Sequence, residues 1–263
     1  MRRICNSYKD KYVYFLFGGE IIIFETSVKQ KIQRTPDVIS IRFNRPEGFD
    51  FTPGQYFFIA LKRGGTQLEK HFTISSSPTE LDYIEMTKKL TGHEFANALA
   101  GLREGDTVTI NAPFGDFVFK GEYDKIGMLT GGIGITPLRS IIKYCTDKQL
   151  ETNIVLLYSN RSEDDIPFKA EFEKMANQNK NLKVVHTITQ PGKGWRGLKG
   201  RIDKKMVQNE IPDYMERVFY TSGPSKMVDV MVSLLKEMNI PDEQIKQEYF
   251  PGYSISYNSF GNP

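Results

Sequence analysis

Cysteine is scarce in this sequence. Its 263 residues include only two cysteines, Cys5 and Cys145, which lie far apart in the chain. Two isolated thiols cannot hold a cysteine-ligated iron–sulfur cluster, and they predict neither a disulfide framework nor another metal site. They are typical of a protein in a reducing compartment, so we expect a cytoplasmic location.

Strong charge bias and long apolar runs are also missing. The formal net charge is only +3, and lysine and arginine form no long runs, which argues against a nucleic-acid partner. The apolar run from Val13 to Phe17 ends before Glu20, so it is too short for a membrane span. No small-residue cleavage site of a signal peptide follows it. We therefore expect no membrane insertion and interpret residues 1–20 as an N-terminal extension.

What the sequence does contain is a change of rhythm near residue 122. Before it come six short β-rich segments separated by turn signals: IIIFETSVKQKI, DVISIRF, QYFFIALK, HFTIS, DYIEMTKK and DTVTINAP. Six strands at fairly even spacing predict a small antiparallel β-barrel for residues 21–122. One helix is predicted at HEFANALAGL, where Phe95, Leu99 and Leu102 share a face.

After residue 122, apolar strands alternate with helices. The predicted strands are KIGMLT, NIVLLYS, LKVVHTI and RVFYTS. The predicted helices are TPLRSIIKYCTD, PFKAEFEKMANQ and SKMVDVMVSLLKEM, the first with Pro137 at its first position. This alternation predicts parallel βα units covered on both faces, a Rossmann-like α/β domain over residues 123–253. Residues 254–263 are interpreted as a C-terminal tail.

Two of the predicted strands end in glycine-containing turns. In MLTGGIGITPL the glycines let the backbone approach a ligand closely, and the first amides of the following helix favour an anionic phosphate. In YTSGPSKM the turn contains Ser222-Gly223-Pro224. Because the carboxyl ends of parallel strands meet at one edge of a sheet, both turns are expected to open onto one crevice. The alternative is two ordinary tight turns.

Arg161 follows the strand NIVLLYS and is expected at the same crevice. Two interpretations of it stay open. It could contact a nucleotide ribose or 2′-phosphate, or it could be a solvated arginine that balances the neighbouring acids in SEDD.

Five motifs occur in a specific order: KHFTISSSP, APFGDF, GGIGITPL, YTSGPSKM and EYFPGY. In this order they resemble the ferredoxin–NADP⁺ reductase superfamily, and the resemblance covers Ile21 to Tyr253. It implies an FAD-binding barrel, an NAD(P)-binding domain, and hydride transfer from NADPH or NADH to flavin N5. The implied acceptor is a ferredoxin, a flavodoxin, an oxygenase component or free flavin. The alternatives are an electron-transfer subunit of a larger redox complex and a non-catalytic nucleotide-binding module.

The resemblance assigns the first motif to the flavin. Lys70 is expected to face the diphosphate, Phe72 to lie against the isoalloxazine, and Thr73 to stand near N5, with Ser76 closing the motif. The family usually has arginine and tyrosine where this sequence has Lys70 and Phe72, so a guanidinium fork and a phenol hydroxyl are lost. FMN or loosely held FAD is therefore an alternative. His71 is expected to point to the opposite face of the strand from Phe72.

A second flavin motif is implied at KKLTGHEFANAL. Gly92 and the amides that follow it match the family's diphosphate turn, and the Glu94 carboxylate is expected to point away from the phosphate. The residues implied near the ribityl and adenosine portions, unless they form an exposed strand end, are Met86, Thr87 and Lys88.

The later motifs are implied to hold the dinucleotide. Ser222 takes the place of the cysteine in the family's Cys-Gly-Pro, while Glu248 and Phe250 match a C-terminal acid and aromatic that orient or cover the nicotinamide site. The segment EYF could instead be a last core strand. The implied catalytic residues are Thr73, Ser222, Glu248 and Phe250. The implied cofactor-binding residues are Lys70, Phe72, Thr73, Ile74, Ser76, Met86, Thr87, Lys88, Gly92, Glu94, Phe95, Ala96, Thr130, Gly131, Gly132, Gly134, Thr136, Pro137, Asn160, Arg161, Ser222, Gly223, Pro224 and Phe250.

Overall fold

The computed structural model describes residues 21–63 and 66–250. The predicted N-terminal extension, the end of the resemblance at Tyr253 and the predicted tail at 254–263 lie outside the described residues. Cys145 is a buried thiol on a helix, as expected, and burial raises its pKa to about 12. None of the helices in these two ranges is long and apolar enough to cross a membrane.

The first half of the chain forms one antiparallel six-stranded sheet, which confirms the predicted barrel fold. Its strands are β1 (Ile22–Thr35), β2 (Val38–Asn44), β3 (Tyr56–Arg63), β4 (Thr66–Thr73), β5 (Tyr83–Lys89) and β6 (Thr107–Phe114). The strand order is β4-β3-β6-β1-β2-β5. In this part of the chain β4 and β5 are therefore the two edge strands, and the barrel has an open seam between them.

Strand alternation divides the side chains of β3 between the barrel core and its outer surface. Phe57 and Ile59 are fully buried in the core, while Tyr56 and Phe58 contact each other's rings on the other face. The predicted helix is α1 (Glu94–Ala100), and its buried Phe95 stacks on Phe72 of β4 at the seam. The open seam is thus flanked by two strand edges and one helix.

The second half forms a six-stranded parallel sheet. Its strands are β7 (Lys125–Gly131), β8 (Asn153–Asn160), β9 (Leu182–Ile188), β10 (Leu198–Lys199), β11 (Val218–Pro224) and β12 (Ile245–Phe250). Its helices are α2 (Ile135–Asp147), α3 (Lys169–Gln178), α4 (Lys204–Glu210) and α5 (Ser225–Glu237). The predicted Rossmann-like fold is confirmed, although β10 and α4 were not predicted.

One prediction about α2 was wrong. The helix begins at Ile135, because a short 3₁₀ turn over Gly132–Gly134 leads directly into it, so Pro137 is its third residue and not its first. Pro137 removes no hydrogen bond at the third position, because the first four N–H groups of a helix have no intrahelical acceptor and proline lacks only its N–H group.

The strand order of this sheet is β10-β9-β8-β7-β11-β12. The chain runs outward from β7 to β9 and then returns to the other side of β7 at β11, so the order reverses between β7 and β11. Ligands of such sheets bind where the order reverses, at the carboxyl ends of the strands. The two glycine turns lie at the carboxyl ends of these two strands.

A buried ion cluster joins the two halves of the molecule. Arg139 on α2 is buried, forms ion pairs with Glu80 and Glu171, and donates to the Ser75 carbonyl oxygen at 3.0 Å. Burial alone would raise the pKa of Glu80, but the hydrogen bond and charge of Arg139 outweigh it and lower the pKa to about 2. The Ser75 end of the first motif is therefore held against the second half.

Candidate functional site

A cavity of about 690 Å³ lies where the open seam of the barrel meets the parallel sheet. This is within the usual size range of small-molecule sites. Its lining from the barrel includes Lys70, Phe72, Thr73, Thr87, Lys88, Phe95 and Ala96. Its lining from the second half is Ile133, Thr136, Glu248, Tyr249 and Phe250. The structure thus brings residues of four predicted motifs to one cavity.

Phe72 and Thr73 both line this cavity although neighbours in a strand point to opposite faces. The reason is that β4 is an edge strand, so a ligand in the seam meets the strand edge-on and can contact both faces. The same geometry brings His71 to the cavity, where its ring lies 5.3 Å from that of Tyr56 and 5.6 Å from that of Phe58.

The barrel wall of the cavity combines aromatic rings with two cations. The rings of Phe72 and Phe95 stack with centroids 5.7 Å apart. The Lys88 ammonium lies 5.3 Å from the Phe72 centroid, and the Lys70 ammonium lies 5.9 Å from the Phe95 centroid. Burial, and then the charge of Lys70, lowers the pKa of Lys88 to about 8. An anionic ligand would relieve this repulsion, so the wall fits a flat ring system carrying phosphate groups.

Some predicted flavin residues have side chains that do not reach the cavity. Ile74 and Met86 pack in the barrel core. Ser76 is fully buried, and its hydroxyl accepts a hydrogen bond from the Glu85 amide at 2.9 Å. All three residues are buried and none lines the cavity, so the structure does not place them at the ligand. Glu94 is exposed and does not line the cavity, while Gly92 has a φ of 73° that favours glycine.

Sequence reasoning missed several residues that line the cavity. They are Tyr56, Phe58, Glu69, His71, Thr91, His93, Ile133 and Tyr249. A signal for two of them exists in QYFFIALK, which has aromatic residues on both faces of one strand. Tyr56 is the register partner of Thr73, and Phe58 that of His71, so pairing the two segments would have placed them together.

The two glycine turns touch each other at the carboxyl edge of the parallel sheet. A Cβ atom on Gly134 would lie 2.0 Å from the Ser222 carbonyl oxygen, which no side chain tolerates. Gly223 has a φ of 139°, and its own Cβ position is 3.3 Å from the Gly134 Cα atom. Both positions therefore require glycine. The prediction that the two turns share one edge is correct in this geometry.

The Ser222 hydroxyl is turned into the protein. It donates to the Gly134 carbonyl oxygen at 2.7 Å, and the Thr130 hydroxyl donates to the Ser222 carbonyl oxygen at 2.8 Å. Ser222 is fully buried and is not among the residues lining the cavity. The structure thus differs from the expected placement of this side chain beside the nicotinamide. The Thr136 side chain does line the cavity and donates to the Ile133 carbonyl oxygen at 3.2 Å.

Asn160 and Arg161 end strand β8 beside the first glycine turn. Asn160 is only 4% exposed, and its amide nitrogen has no hydrogen-bond partner among the described residues. Arg161 is exposed, and its Nε donates to the Gln190 side-chain oxygen at 2.9 Å. Among the described residues it forms no ion pair with the acids of SEDD, and it does not line the cavity, so both interpretations of Arg161 stay open.

Glu248 presents an unusual carboxyl group to the cavity. Its Oε2 is buried without a hydrogen-bond partner among residues 21–63 and 66–250, and burial raises its pKa to about 8. At neutral pH this side chain is protonated and can donate a hydrogen bond. It lies on β12, the edge strand paired with β11, so the alternative that EYF is a strand also holds. Being a strand and lining the cavity are compatible.

The family comparison agrees with this division of the chain. Residues 25–119 match the oxidoreductase FAD-binding domain, and residues 128–233 match the oxidoreductase NAD-binding domain. The chain belongs to the ferredoxin reductase-like superfamily. The cavity residues fit the FAD that the first domain is named for. The aromatic wall matches its flat ring system, and the two lysines match its diphosphate.

Relatives within this superfamily share moderate sequence identity with the chain. The glycine betaine monooxygenase reductase subunit of Chromohalobacter salexigens is 30% identical over 227 residues, which are 83% of this chain and 62% of that protein. The plasma membrane-associated coenzyme Q6 reductase of Saccharomyces cerevisiae is 29% identical over 198 residues, 74% of this chain and 64% of that protein. The chain thus spans less than two thirds of the length of these curated relatives.

Solved structures support the fold. The flavohemoglobin of Malassezia yamatoensis with bound FAD and heme has a TM-score of 0.77 and 25% identity, covering 88% of this chain and 61% of that one. A ferredoxin NADP⁺ reductase from Neisseria gonorrhoeae with bound FAD and NADP has a TM-score of 0.75 and 19% identity. That match covers 87% of this chain and 99% of the other.

Proposed function

We propose that this protein is a flavoprotein reductase that oxidises NADPH or NADH and passes the electrons to a separate acceptor. The observation that carries the proposal is one cavity bounded by an aromatic and cationic barrel wall on one side and by residues of the first glycine turn and of strand β12 on the other. FAD supplies an N5 atom that takes up a hydride and a ring system that can release electrons singly.

The barrel residues have separate tasks in this proposal. Lys70 and Lys88 neutralise the diphosphate, and Phe72 provides the wall for the ring system. The Thr73 hydroxyl stands at the seam, where it can bond to a flavin nitrogen. FMN in place of FAD stays an alternative, because Lys70 is a point charge where the family has the arginine fork.

The residues of the parallel sheet hold and orient the dinucleotide. The amides after Gly132 and Gly134 face the pyrophosphate at a helix start, and Thr136 adds a hydroxyl there. Phe250 covers the ring site that nicotinamide must enter. The protonated Glu248 donates a hydrogen bond to the nicotinamide amide or holds the proton that accompanies flavin reduction.

The acceptor is proposed to be an oxygenase component, a ferredoxin, a flavodoxin or free flavin. The name of the betaine monooxygenase reductase subunit favours the first of these. We propose a cytoplasmic location on the cysteine content, and domain limits of 21–122 and 123–253 on the change of rhythm in the sequence.

The test is the visible spectrum of the purified protein before and after anaerobic addition of NADPH or NADH. We expect a yellow protein with bound FAD that is bleached by at least one nucleotide. A colourless protein that neither FAD nor FMN reconstitutes would refute the proposal. Comparing the two bleaching rates identifies the physiological nucleotide.

The role of Arg161 has a test of its own. If its guanidinium contacts a 2′-phosphate, Arg161→Ala slows bleaching by NADPH about tenfold and leaves bleaching by NADH unchanged. Arg196→Ala, which changes another exposed arginine in a loop, is the control. If Arg161→Ala changes both bleaching rates by the same factor relative to the parent, or changes neither, the 2′-phosphate contact is ruled out.

A further inference from the structure

Ser222 occupies the contact between the two glycine turns. Its carbonyl oxygen accepts from the Thr130 hydroxyl at 2.8 Å, and its own hydroxyl donates to the Gly134 carbonyl oxygen at 2.7 Å. One residue therefore bonds to the end of β7 and to the start of α2 at once. We call this arrangement of Thr130, Ser222 and Gly134 the turn clamp.

The two glycine turns pack backbone to backbone at the turn clamp. The Gly134 backbone is so close to the Ser222 carbonyl that even a Cβ atom could not fit, and the Gly223 Cβ position is 3.3 Å from the Gly134 Cα atom. The distance between the two turns is therefore set by direct backbone contact and by these two hydrogen bonds. A change of a few tenths of an ångström in the clamp moves one turn relative to the other.

The Ser222 hydroxyl is also unavailable for direct chemistry. Its single hydrogen is used in the bond to Gly134, the residue is fully buried, and the cavity lining does not include it. A role in contacting the reacting atoms would require that bond to break. A role in holding the turns requires only what is observed.

We propose that Ser222 is a positioning residue that sets the separation of the two glycine turns and thereby the affinity for the nicotinamide dinucleotide. The inference rests on the proposed function, in which one dinucleotide contacts both turns. A ligand held at two points loses affinity when the points move apart, whereas FAD on the barrel wall does not contact the clamp. Cysteine, the usual family residue, has a weaker donor and would close the clamp less firmly.

The experiment compares three variants of the FAD-loaded protein. Ser222→Ala removes the clamp hydroxyl, Ser222→Cys replaces it by a weaker donor, and Thr221→Ala is the matched control. Thr221 is the preceding residue on the same strand, is equally buried, and has a hydroxyl without a hydrogen-bond partner in the described part of the chain. The readouts are the dissociation constants of NADP⁺ and NAD⁺ by calorimetry, the FAD content, and the maximal rate and Michaelis constant of bleaching.

We expect Ser222→Ala to weaken binding of the preferred dinucleotide about tenfold, the effect of one buried hydrogen bond, and Ser222→Cys to weaken it less. FAD content and the maximal bleaching rate at saturating nucleotide should stay within about twofold of the parent, and Thr221→Ala should match the parent in every readout. The Cys variant keeps the test decisive if Ser222→Ala does not fold.

Three results would overturn the inference. The first is unchanged dinucleotide affinity in both Ser222 variants. The second is a fall in maximal rate without a change in affinity, which would make Ser222 a reacting-site residue. The third is equal weakening by Thr221→Ala, which would indicate general loosening of the strand. If the parent itself binds neither NADP⁺ nor NAD⁺, the proposed function fails and the clamp proposal fails with it.

Discussion

The two walls of the cavity are built on different principles. The barrel wall uses side chains, such as Phe72, Lys70 and Lys88, whose rings and charges face the ligand. The parallel sheet contributes Ile133 and Thr136 from the first glycine turn to the lining, and its two glycine turns meet backbone to backbone, with the Ser222 hydroxyl bonded inside the protein. Gly134 has no room for even one methyl group, whereas the barrel wall has lysine and phenylalanine where the family usually has arginine and tyrosine.

The largest expected effect concerns Arg139, whose ion cluster joins the two halves of the molecule. Arg139→Leu leaves the Glu80 carboxylate without its main partner and should lower the free energy of unfolding by about 3–5 kcal/mol. Urea unfolding of the FAD-loaded protein measures it. Lys143→Met on the same helix, which breaks only a partly exposed pair with Asp147, should cost less than about 1 kcal/mol. Equal losses in the two variants would mean that the buried cluster is dispensable.

The next largest effect separates the backbone wall from the side-chain wall. Gly134→Ala forces the two turns apart and should cost about 2–4 kcal/mol of stability or an equivalent loss of dinucleotide affinity. Gly192→Ala is the control, because a Cβ atom there meets nothing within 4 Å. Thermal unfolding and dinucleotide titration measure both. A neutral Gly134→Ala would show that the turns are not in tight contact.

A smaller effect is expected from the buried acid of the parallel sheet. The pKa of Glu248 is raised from 4.5 to about 8, so between these values the folded protein holds a proton that the unfolded chain releases. The stability contribution of the neutral acid is complete below pH 4.5 and is lost as the pH rises through 8. In urea unfolding, the free energy of unfolding of Glu248→Gln should therefore rise relative to that of the parent by ~2 kcal/mol between pH 6 and pH 7.5. If the difference in free energy of unfolding between Glu248→Gln and the parent does not change with pH, the raised pKa is contradicted.

The smallest effect tests the side-chain wall alone. Lys70→Met removes one of two cations beside the Phe72–Phe95 stack and should weaken FAD binding about tenfold, with little change in stability. Flavin titration of the apoprotein measures it. Lys89→Met, which removes an exposed lysine paired with Asp37, should leave FAD binding unchanged. If the two variants weaken FAD binding equally, the loss of FAD affinity in Lys70→Met comes from the lower net charge of the protein and not from a local contact.

Much of the fold could be predicted from the sequence, because apolar alternation in the strands and the change to strand–helix rhythm are local patterns. Helix α4 and strand β10 were missed, since they are short and lie in a glycine- and lysine-rich stretch with weak periodicity. Phe72 and Thr73 were placed together only through a family motif. Both residues reach the cavity because β4 is an edge strand, and a local sequence pattern does not reveal which strands lie at the edge of a sheet.

The turn clamp was beyond sequence reasoning for a different reason. Its partners Ser222 and Gly134 are distant in the chain and meet only because β7 and β11 are adjacent with Thr130 opposite Ser222. That register also sets the position of one glycine turn relative to the other. Short motifs could therefore identify both turns but could not show that the serine hydroxyl is directed from one into the other.

We expect the two walls to bind different ligands independently, which a crossed titration of two variants can test. FAD binding to apoprotein and dinucleotide binding to FAD-loaded protein are measured for Lys70→Met and Gly134→Ala. Lys70→Met should weaken only FAD binding, and Gly134→Ala should weaken only dinucleotide binding. Weakening of the same ligand by both variants, or of both ligands by each, would contradict it.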